Sequence, residues 1–335
     1  MAEHFFSLAA ADQRDALLQA ASDLGRPAYL LEKDVWVVWA LHVLFASDSG
    51  QHLTFKGGTS LSKVYRLIDR FSEDIDLTYD IRQIMDGQAQ DELPASRAQA
   101  RRWSDTARER LPEHLAAVVC PMLRQAIERD GVQAELVHDG DRIYLNYVTR
   151  TAANMYIQPR VMLEFGARSS GEPNDMHTVT CDIAIALQGL AFPQARPRVM
   201  NVARTFWEKA TAAHVYCAQA RLKGERFARH WHDLAAIARS SHFEGVATNR
   251  EVAQRVADHK QWFFRERSQA MEWIDYRTAV QGNLRLVPEG DARLQLEDDY
   301  GRMLEGGMFD SEPMAFDALM DACAALEARL NATQV

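Results

Sequence analysis

The stretch FKGGTSLSKVYRLIDRFSEDIDL, residues 55–77, contains the patterns that best indicate the fold. It begins with a double glycine, Gly57 and Gly58, which the hydroxyl residues Thr59 and Ser60 follow. Glycine adopts backbone angles that other residues avoid, and it lets another group approach the main chain closely. A hydroxyl residue can cap the next helix, whose first amides then remain available to an anion. The start of this stretch therefore predicts a phosphate-binding turn.

Apolar residues at helical spacing come next and predict a helix that ends near Arg70. They are Leu61, Val64, Tyr65, Leu67 and Ile68. The segment SEDIDLTYD then alternates with the period of a strand, which places Asp74 and Asp76 on one face and Ile75 and Leu77 on the other. Side chains two residues apart on a strand start about 7 Å apart, so the two carboxylates can lean together.

The Asp74/Asp76 pair predicts a site for divalent cations. Two neighbouring anions repel each other and raise each other's pKa unless a cation lies between them. Magnesium suits such a site because it prefers oxygen ligands and accepts one or two carboxylates together with substrate phosphates. A pair of ions about 3.5–4 Å apart can activate an attacking oxygen and stabilise the leaving pyrophosphate. We expect the triphosphate of an NTP on the glycine turn and two Mg²⁺ ions on the aspartates.

The alternative for this stretch is a turn, a capped helix and an edge strand with solvated acids. The glycine pair, the hydroxyls, the helix and the alternating strand together favour chemistry over that alternative. The stretch contains neither the GxxxxGK[ST] pattern of a P-loop nor the GxGxxG pattern of a dinucleotide-binding fold. The predicted phosphate site is therefore of a different kind.

Gly58 and Thr59, followed by a helix and then by Asp74 and Asp76, resemble the signature of the DNA polymerase β-like nucleotidyltransferase superfamily. The longer string FKGGTSLSKVY…IDRFSEDIDL is similar to the AbiEii/AbiGii toxin family within it, and the likeness covers most of the chain. The resemblance implies a magnesium-dependent nucleotidyltransferase that acts as a toxin in a toxin–antitoxin or phage-abortive (abortive infection) system. It further implies NTP as substrate, the tRNA 3′ end as acceptor, inhibition of translation and a cognate antitoxin as partner.

Glu164 lies inside the apolar run RVMLEFGAR, where a charge is costly unless it is paired or bound to metal. The family's second motif has an acid at this place, which implies that Glu164 helps to activate the acceptor hydroxyl. The alternative is an outward-facing glutamate on an edge strand. Arg160 and Arg168 flank it and suit either a phosphate or a structural ion pair.

Two more family motifs lie further along the chain. Lys209 matches the lysine of a TFWEK helix start, which implies that its ammonium neutralises triphosphate charge without occupying a metal site. By spacing alone, Lys209 would be an ordinary solvated lysine. The run RHWHDL, residues 229–234, matches the fourth motif, and its Asp233 is expected to hold Lys209 or to touch the nucleotide. Its two histidines point apart on a helix, so we expect no zinc site.

Several other residues are secondary candidates. Ser72 lies two residues before Asp74, and the matching serine receives phosphate or nucleotide in some family members. Lys56 and Lys63 are candidates for further positive charge near the phosphates. The stretch DHKQWFFRERS, residues 258–268, interleaves basic and aromatic side chains. Such side chains can bind single-stranded RNA, although a core helix with snorkelling cations is the commoner outcome.

Composition limits the classes of function. The 335 residues are 47% hydrophobic and 25% charged, which indicates a globular protein with room for two domains. The net charge of −9 argues against a general nucleic-acid coat. Residues 195–270 nevertheless carry 14 Lys and Arg against 7 Asp and Glu, which suits either local phosphate binding or an Arg-rich helical region. The four cysteines are scattered without a CxxC pair, so neither a zinc site nor a disulfide framework is expected.

The order of the predicted elements indicates an α+β fold. Helices come first, then a mixed block with several strand-like runs, and from Val202 onward the pattern is almost wholly helical. We expect a mixed nucleotidyltransferase-fold sheet flanked by helices in residues 1–195, and a helical domain in residues 196–335 that completes the active-site cleft. The first residues lack a signal-peptide pattern, and no apolar run is long enough to span a bilayer. We therefore expect a cytoplasmic protein without a membrane partner.

Three functions remain open at this point. The first is transfer of NMP to RNA, and the second is transfer of NMP or phosphate to a protein hydroxyl, on the chain itself or on a partner. The third is a non-catalytic nucleotide-binding module with a decayed site. The presence of the complete motif set argues against the third: Gly58, Thr59, Asp74, Asp76, Glu164, Lys209 and Asp233.

Overall fold

The computed structural model describes residues 2–70, 72, 74–85, 87, 89–152, 158–222, 224–306, 309 and 312–332. The strands are β1 (Glu3–His4), β2 (Leu53–Lys56), β3 (Asp74–Asp80), β4 (Ala134–Asp139), β5 (Arg142–Tyr147), β6 (Arg160–Ser169), β7 (Asn174–Met176), β8 (Val179–Thr180), β9 (Leu190–Ala191), β10 (Gln194–Ala195) and β11 (Arg198–Met200). The α-helices are α1 (Ala10–Leu24), α2 (Ala28–Phe45), α3 (Gly57–Lys63), α4 (Ile81–Ile84), α5 (Arg97–His114), α6 (Cys120–Asp130), α7 (Val202–Gln219), α8 (Arg229–Ala238), α9 (Phe243–Thr248), α10 (Arg250–Phe263), α11 (Tyr276–Val280), α12 (Gly290–Glu305) and α13 (Phe316–Ala332).

The chain folds into two compact units. Unit 1 comprises Met1–Val64, Ser72–Gln90 and Asp105–Val199, and unit 2 comprises Tyr65–Phe71, Asp91–Ser104 and Met200–Val335. Unit 1 contains the large sheet, whereas unit 2 is built mainly from helices. None of the helices in the described ranges is both long enough and apolar enough to cross a membrane.

Within the described part of unit 1, seven strands form one mixed sheet in the order β4-β5-β6-β3-β2-β11-β7. Strand β3 runs parallel to β6 on one side and antiparallel to β2 on the other. Strand β5 is antiparallel to both β4 and β6. The expected mixed sheet flanked by helices is confirmed, and β3 and β6 both lie inside the sheet. The edge-strand alternatives for the aspartate pair and for Glu164 are therefore wrong.

Helix α2 packs in the interior of unit 1 and is buried on most sides. Val35, Leu41 and Leu44 are fully buried, as expected for a helix that is apolar almost all round. At its start, three consecutive charged residues are also buried, at positions 32–34. Each of them bonds to another segment of unit 1, because buried charge is tolerated only when it is paired or hydrogen-bonded.

The helix predicted after the double glycine is shorter than expected. It ends at Lys63 rather than near Arg70, and Arg66 then takes a left-handed backbone conformation with φ 51°. Leu61 is buried in unit 1, while Ile68 is buried and belongs to unit 2. The apolar residues that resemble one helical stripe therefore serve two separate cores.

Candidate active site

The aspartate pair lies on β3, in the middle of the sheet of unit 1. Ile75 and Leu77 are fully buried, whereas Asp74 and Asp76 are half-buried on the opposite face. Burial follows the predicted strand period of two across residues 74–77, whereas Thr78, the next residue on the aspartate face, is also buried. Both carboxylates therefore point to the same side of the sheet.

The third predicted acid lies beside this pair. In the parallel β3/β6 ladder, Asp76 and Glu164 are register partners, so their side chains project from the same face of adjacent strands. Neighbouring strands are about 4.8 Å apart, which brings the two carboxylates within reach of one ligand. Arg142 is the partner of Glu164 on β5, and its Nε lies 3.3 Å from Glu164 Oε2. This arginine orients the carboxylate while leaving it 40% exposed.

Gly57 is matched directly to Asp76. Its φ is +80°, and a Cβ added there would lie 1.9 Å from Oδ2 of Asp76. No other residue can occupy position 57 without moving the carboxylate, since real Cβ atoms do not approach so closely. Lys56 is the register partner of Asp76 on β2, so its side chain projects from the same face of the sheet.

The hydroxyl residues after the glycines lie inside α3 and do not cap it. The N-cap position belongs to Lys56, and both Thr59 and Ser60 are buried. Thr59 Oγ1 donates to the carbonyl oxygen of Asp74 at 2.5 Å and lies 2.9 Å from Oγ of Ser72. Ser60 Oγ donates to the carbonyl oxygen of Gly57 at 2.9 Å. The bonds of Thr59 tie the glycine turn to the start of the aspartate strand, while the bond of Ser60 lies within α3.

Lys63, expected to add charge near the phosphates, has a structural position instead. Its Nζ lies 2.5 Å from Asp34 Oδ1 and 2.7 Å from Asp182 Oδ1. Burial alone lowers the pKa of Lys63, but the two carboxylates outweigh burial and raise it above its ordinary value. The ammonium therefore anchors the end of α3 within unit 1.

The residues of the third and fourth motifs form a buried cluster in unit 2. Lys209 Nζ lies 2.9 Å from Asp233 Oδ2, and Arg70 holds both oxygens of the same carboxylate at 2.7 and 2.8 Å. Burial alone would raise the pKa of Asp233, but Arg70 and Lys209 overcome that effect and keep it far below its usual range. The pKa of Lys209 is lowered, chiefly by burial. With two cations and one anion, these three side chains carry a net positive charge.

The predicted site residues thus fall into two sets. Unit 1 brings together the residues of the glycine turn and the three acids: Gly57, Gly58, Thr59, Ser60, Ser72, Asp74, Asp76 and Glu164. Unit 2 contains the Lys209–Asp233 pair. Sequence reasoning missed Arg70 and Arg142. Arg70 is 163 positions from Asp233, and no local periodicity marks such a tertiary contact.

The acids of unit 1 suit a metal that is shared with a substrate. Among the described residues, no three His, Cys, Asp or Glu side chains are grouped closely enough to hold a metal ion by themselves. Asp74 and Asp76 nevertheless present two oxygen-ligand groups on one strand face, with Glu164 beside them. Magnesium favours this kind of donor set, because it takes few carboxylates and completes its shell with phosphate oxygens and water.

The comparison with family models shows the family of this chain. The family model described as "Nucleotidyl transferase AbiEii toxin, Type IV TA system" matches residues 39–322. A search of curated proteins found no match. Among solved structures, the chain is similar to MenT4, a nucleotidyltransferase toxin from Mycobacterium tuberculosis H37Rv, with 18% sequence identity and a TM-score of 0.41. That alignment covers 98% of this chain and 100% of MenT4.

Proposed function

We infer that this chain, which belongs to the AbiEii family of nucleotidyltransferase toxins of type IV toxin–antitoxin systems, transfers NMP from an NTP to the 3′ end of tRNA. The reaction depends on magnesium, and modification of the acceptor inhibits translation. The toxin class further implies a cognate antitoxin as partner. The observation that carries the proposal is the grouping of Asp74, Asp76 and Glu164 on one face of adjacent strands.

In the proposed reaction, the 3′ hydroxyl oxygen of the acceptor attacks the α-phosphorus of the NTP. A new P–O bond forms, the bond from the α-phosphorus to the bridging oxygen breaks, and pyrophosphate leaves. Asp74 and Asp76 would hold magnesium, which when bound would neutralise phosphate charge and lower the pKa of the attacking hydroxyl. Glu164 accepts the hydroxyl proton, and Arg142 keeps that carboxylate oriented towards the exposed face.

The glycine turn is the proposed seat of the triphosphate. The absence of a side chain at Gly57 lets the turn lie directly against the carboxylate of Asp76, so a triphosphate on the turn would lie beside the proposed magnesium ligands. Thr59 connects the turn with Ser72 and with the first residue of β3, and Ser60 bonds to the carbonyl oxygen of Gly57 within the turn. Lys209 remains the proposed cation for the triphosphate, and Asp233 the residue that holds it, as the family motifs imply.

The test is incorporation of label from each α-labelled NTP in the presence and absence of total tRNA. We expect label in tRNA with the wild-type protein, loss of incorporation on addition of EDTA, and recovery with excess Mg²⁺. Asp76→Asn and Glu164→Gln should each reduce the rate at least ~100-fold, because displacement or loss of one reacting group costs about that much.

The matched control is Asp139→Asn, the same substitution at an exposed position on β4 of the same sheet. It should leave the rate unchanged. Label that appears only in protein, with or without tRNA, would replace the RNA acceptor by a protein hydroxyl. No incorporation into any acceptor, together with NTP binding in calorimetry that does not depend on magnesium, would leave only the non-catalytic nucleotide-binding module.

A further inference from the structure

A short hairpin follows α10 in unit 2 and presents its tip to solvent. The backbone amide of Ile274 donates to the backbone carbonyl of Glu266 at 3.0 Å, and the amide of Ser268 donates to the backbone carbonyl of Glu272 at 2.8 Å. Arg267 and Trp273 face each other across the two arms as an antiparallel bridge. The amide of Gln269 donates to the carbonyl of Ala218, at the end of α7, so the hairpin is fixed to the helices of unit 2.

Two arginines lie over the exposed tryptophan of this hairpin. The guanidinium carbon of Arg265 is 3.8 Å from the centroid of the Trp273 ring, and that of Arg267 is 4.3 Å from it. The indole is still 49% exposed. Guanidinium groups stack on aromatic faces and are weakly hydrated, so the ring holds both cations in place at the surface. The result is a set of flat, positively charged groups open to solvent.

Three arginines lie close together at this stack. The pKa of Arg265 is lowered by partial burial and then by two neighbouring cations, Arg97 and Arg267. Arg97 is the first residue of α5, where the helix dipole already favours an anion. Two of the three acids of the hairpin region bind groups outside the stack: Glu266 accepts from Gln219 at 2.9 Å, and Asp275 caps α11, whereas Glu272 is exposed. An anion bound here would relieve the repulsion among the arginines.

Single-stranded nucleic acid fits this chemistry better than an acidic protein segment does. Both would supply negative charge, but nucleic acid also supplies flat bases, which can stack on the outer faces of the two guanidinium groups. The stretch 258–268 had suggested such binding from its sequence, and the structure separates its parts. Phe263 is buried, and Lys260 donates to the carbonyl of Glu208, whereas Arg265 and Arg267 meet Trp273 at the surface.

We propose that Arg97, Arg265, Arg267 and Trp273 form a docking surface on unit 2 for single-stranded RNA, with the arginines on phosphates and bases stacked against the flat groups. The assignment deepens the proposed function and rests on it for the identification of RNA as the acceptor. Binding itself requires neither NTP nor magnesium and is tested without them.

The experiment measures fluorescence anisotropy of a labelled single strand of about 12 nucleotides, within the range of single-strand site sizes, in EDTA at several salt concentrations. The double variant Arg265→Gln/Arg267→Gln should lower the slope of log K against log salt by about 1.4, at about 0.7 for each lost phosphate contact. Trp273→Leu should weaken binding about tenfold, because leucine no longer holds the two guanidinium groups in place. Single-stranded DNA and duplex RNA of the same sequence form the comparison arms.

The matched control is the double variant Arg302→Gln/Arg329→Gln, which removes two similarly exposed arginines of unit 2 that pair with Asp298 and Glu244. It should retain wild-type affinity and salt slope, and thermal unfolding should show that both double variants fold. Equal losses in both double variants would overturn the proposal, because any surface charge would then suffice. Unchanged RNA affinity in Arg265→Gln/Arg267→Gln would also overturn the proposal. Loss of binding to an acidic protein by that variant, with RNA affinity unchanged, would point to a protein partner instead.

The RNA-binding experiment can succeed or fail independently of the proposed nucleotide transfer. Asp76→Asn should bind RNA as the wild type does and yet transfer no nucleotide. RNA binding that depends on Arg265 and Arg267, with no nucleotide transfer by the wild type, would refute the activity and leave the surface. Transfer that depends on Asp76, with RNA affinity indifferent to the two arginines, would refute the surface and leave the activity.

Discussion

At the scale of single residues, the carboxylate of Asp76 occupies the space that a side chain at Gly57 would need. A glycine is required at position 57 for two separate reasons, the left-handed backbone and the contact with Oδ2 of Asp76. Only the second reason concerns chemistry, because it determines where the carboxylate lies. The two effects can be separated by comparison with a glycine that has only the first.

Gly57→Ala should lose at least ~100-fold in nucleotide transfer, since the new methyl group must displace the carboxylate of Asp76. Gly140→Ala is the matched control, because Gly140 has φ +60° but nothing within 4 Å of its added Cβ. Both variants should lose about 1–2 kcal/mol of unfolding free energy from the left-handed backbone. Urea unfolding and the transfer rate are the measurements, and a fully active Gly57→Ala would contradict the assignment.

The second residue-scale feature is the fully buried carboxylate of Asp233 between Arg70 and Lys209. A buried anion that pairs with two cations contributes little by its mere presence, but its removal leaves both cations uncompensated. Its role is therefore best measured by deleting the charge while keeping the shape of the side chain.

Asp233→Asn should lower the free energy of unfolding by about 3–5 kcal/mol at pH 7. Because Arg70 and Lys209 depress the folded-state pKa of Asp233 below its unfolded value of 3.8, this stability is present above about pH 4 and is lost as pH falls further. The difference in unfolding free energy between wild type and variant, the gap, should therefore shrink by about 1.4 kcal/mol per pH unit below that point. Urea titrations at several pH values are the check, with exposed Asp139→Asn as control; a gap that stays constant down to pH 2 would contradict the charge-pair account.

At the scale of elements, the register between β3 and β6 creates the site. Strand alternation in DIDL predicts that the two aspartates share a face, and burial of Ile75 and Leu77 confirms it. The same reasoning cannot place Glu164, because its position beside Asp76 depends on parallel pairing of strands that lie far apart in sequence. A shift of one residue would turn Glu164 to the opposite face.

Helix α3 shows the opposite case, in which local pattern misleads. Leu61 and Ile68 are seven positions apart and suit one helical stripe, yet the chain leaves unit 1 after Val64. The helix end is held by Lys63 between Asp34 and Asp182, contacts that span tens of residues. A single-helix pattern cannot show that its two ends belong to different bodies. The division into domains 1–195 and 196–335 stays a prediction.

At the scale of the whole molecule, a toxin should act on the cell that makes it. Induction of the wild-type protein in a bacterial host without an antitoxin should arrest growth, whereas Asp76→Ala should not, because the proposed transfer uses the carboxylate of Asp76 that faces Gly57. Asp139→Ala is the matched control and should arrest growth as the wild type does. Equal protein levels must be confirmed by immunoblot, and an equal growth defect with Asp76→Ala would refute a catalytic toxin.

Strand alternation, the double glycine and the motif spacings are local properties of the chain. They are therefore enough to predict the α+β class, the family and the residues of the motifs. Only the tertiary structure decided that Gly57 abuts Asp76, that Arg142 orients Glu164, that Arg70 shares Asp233 with Lys209, and that Trp273 holds two arginines at the surface. These contacts join positions far apart along the chain or on opposite arms of a turn. They follow from strand register and side-chain packing, which no periodicity in the chain encodes.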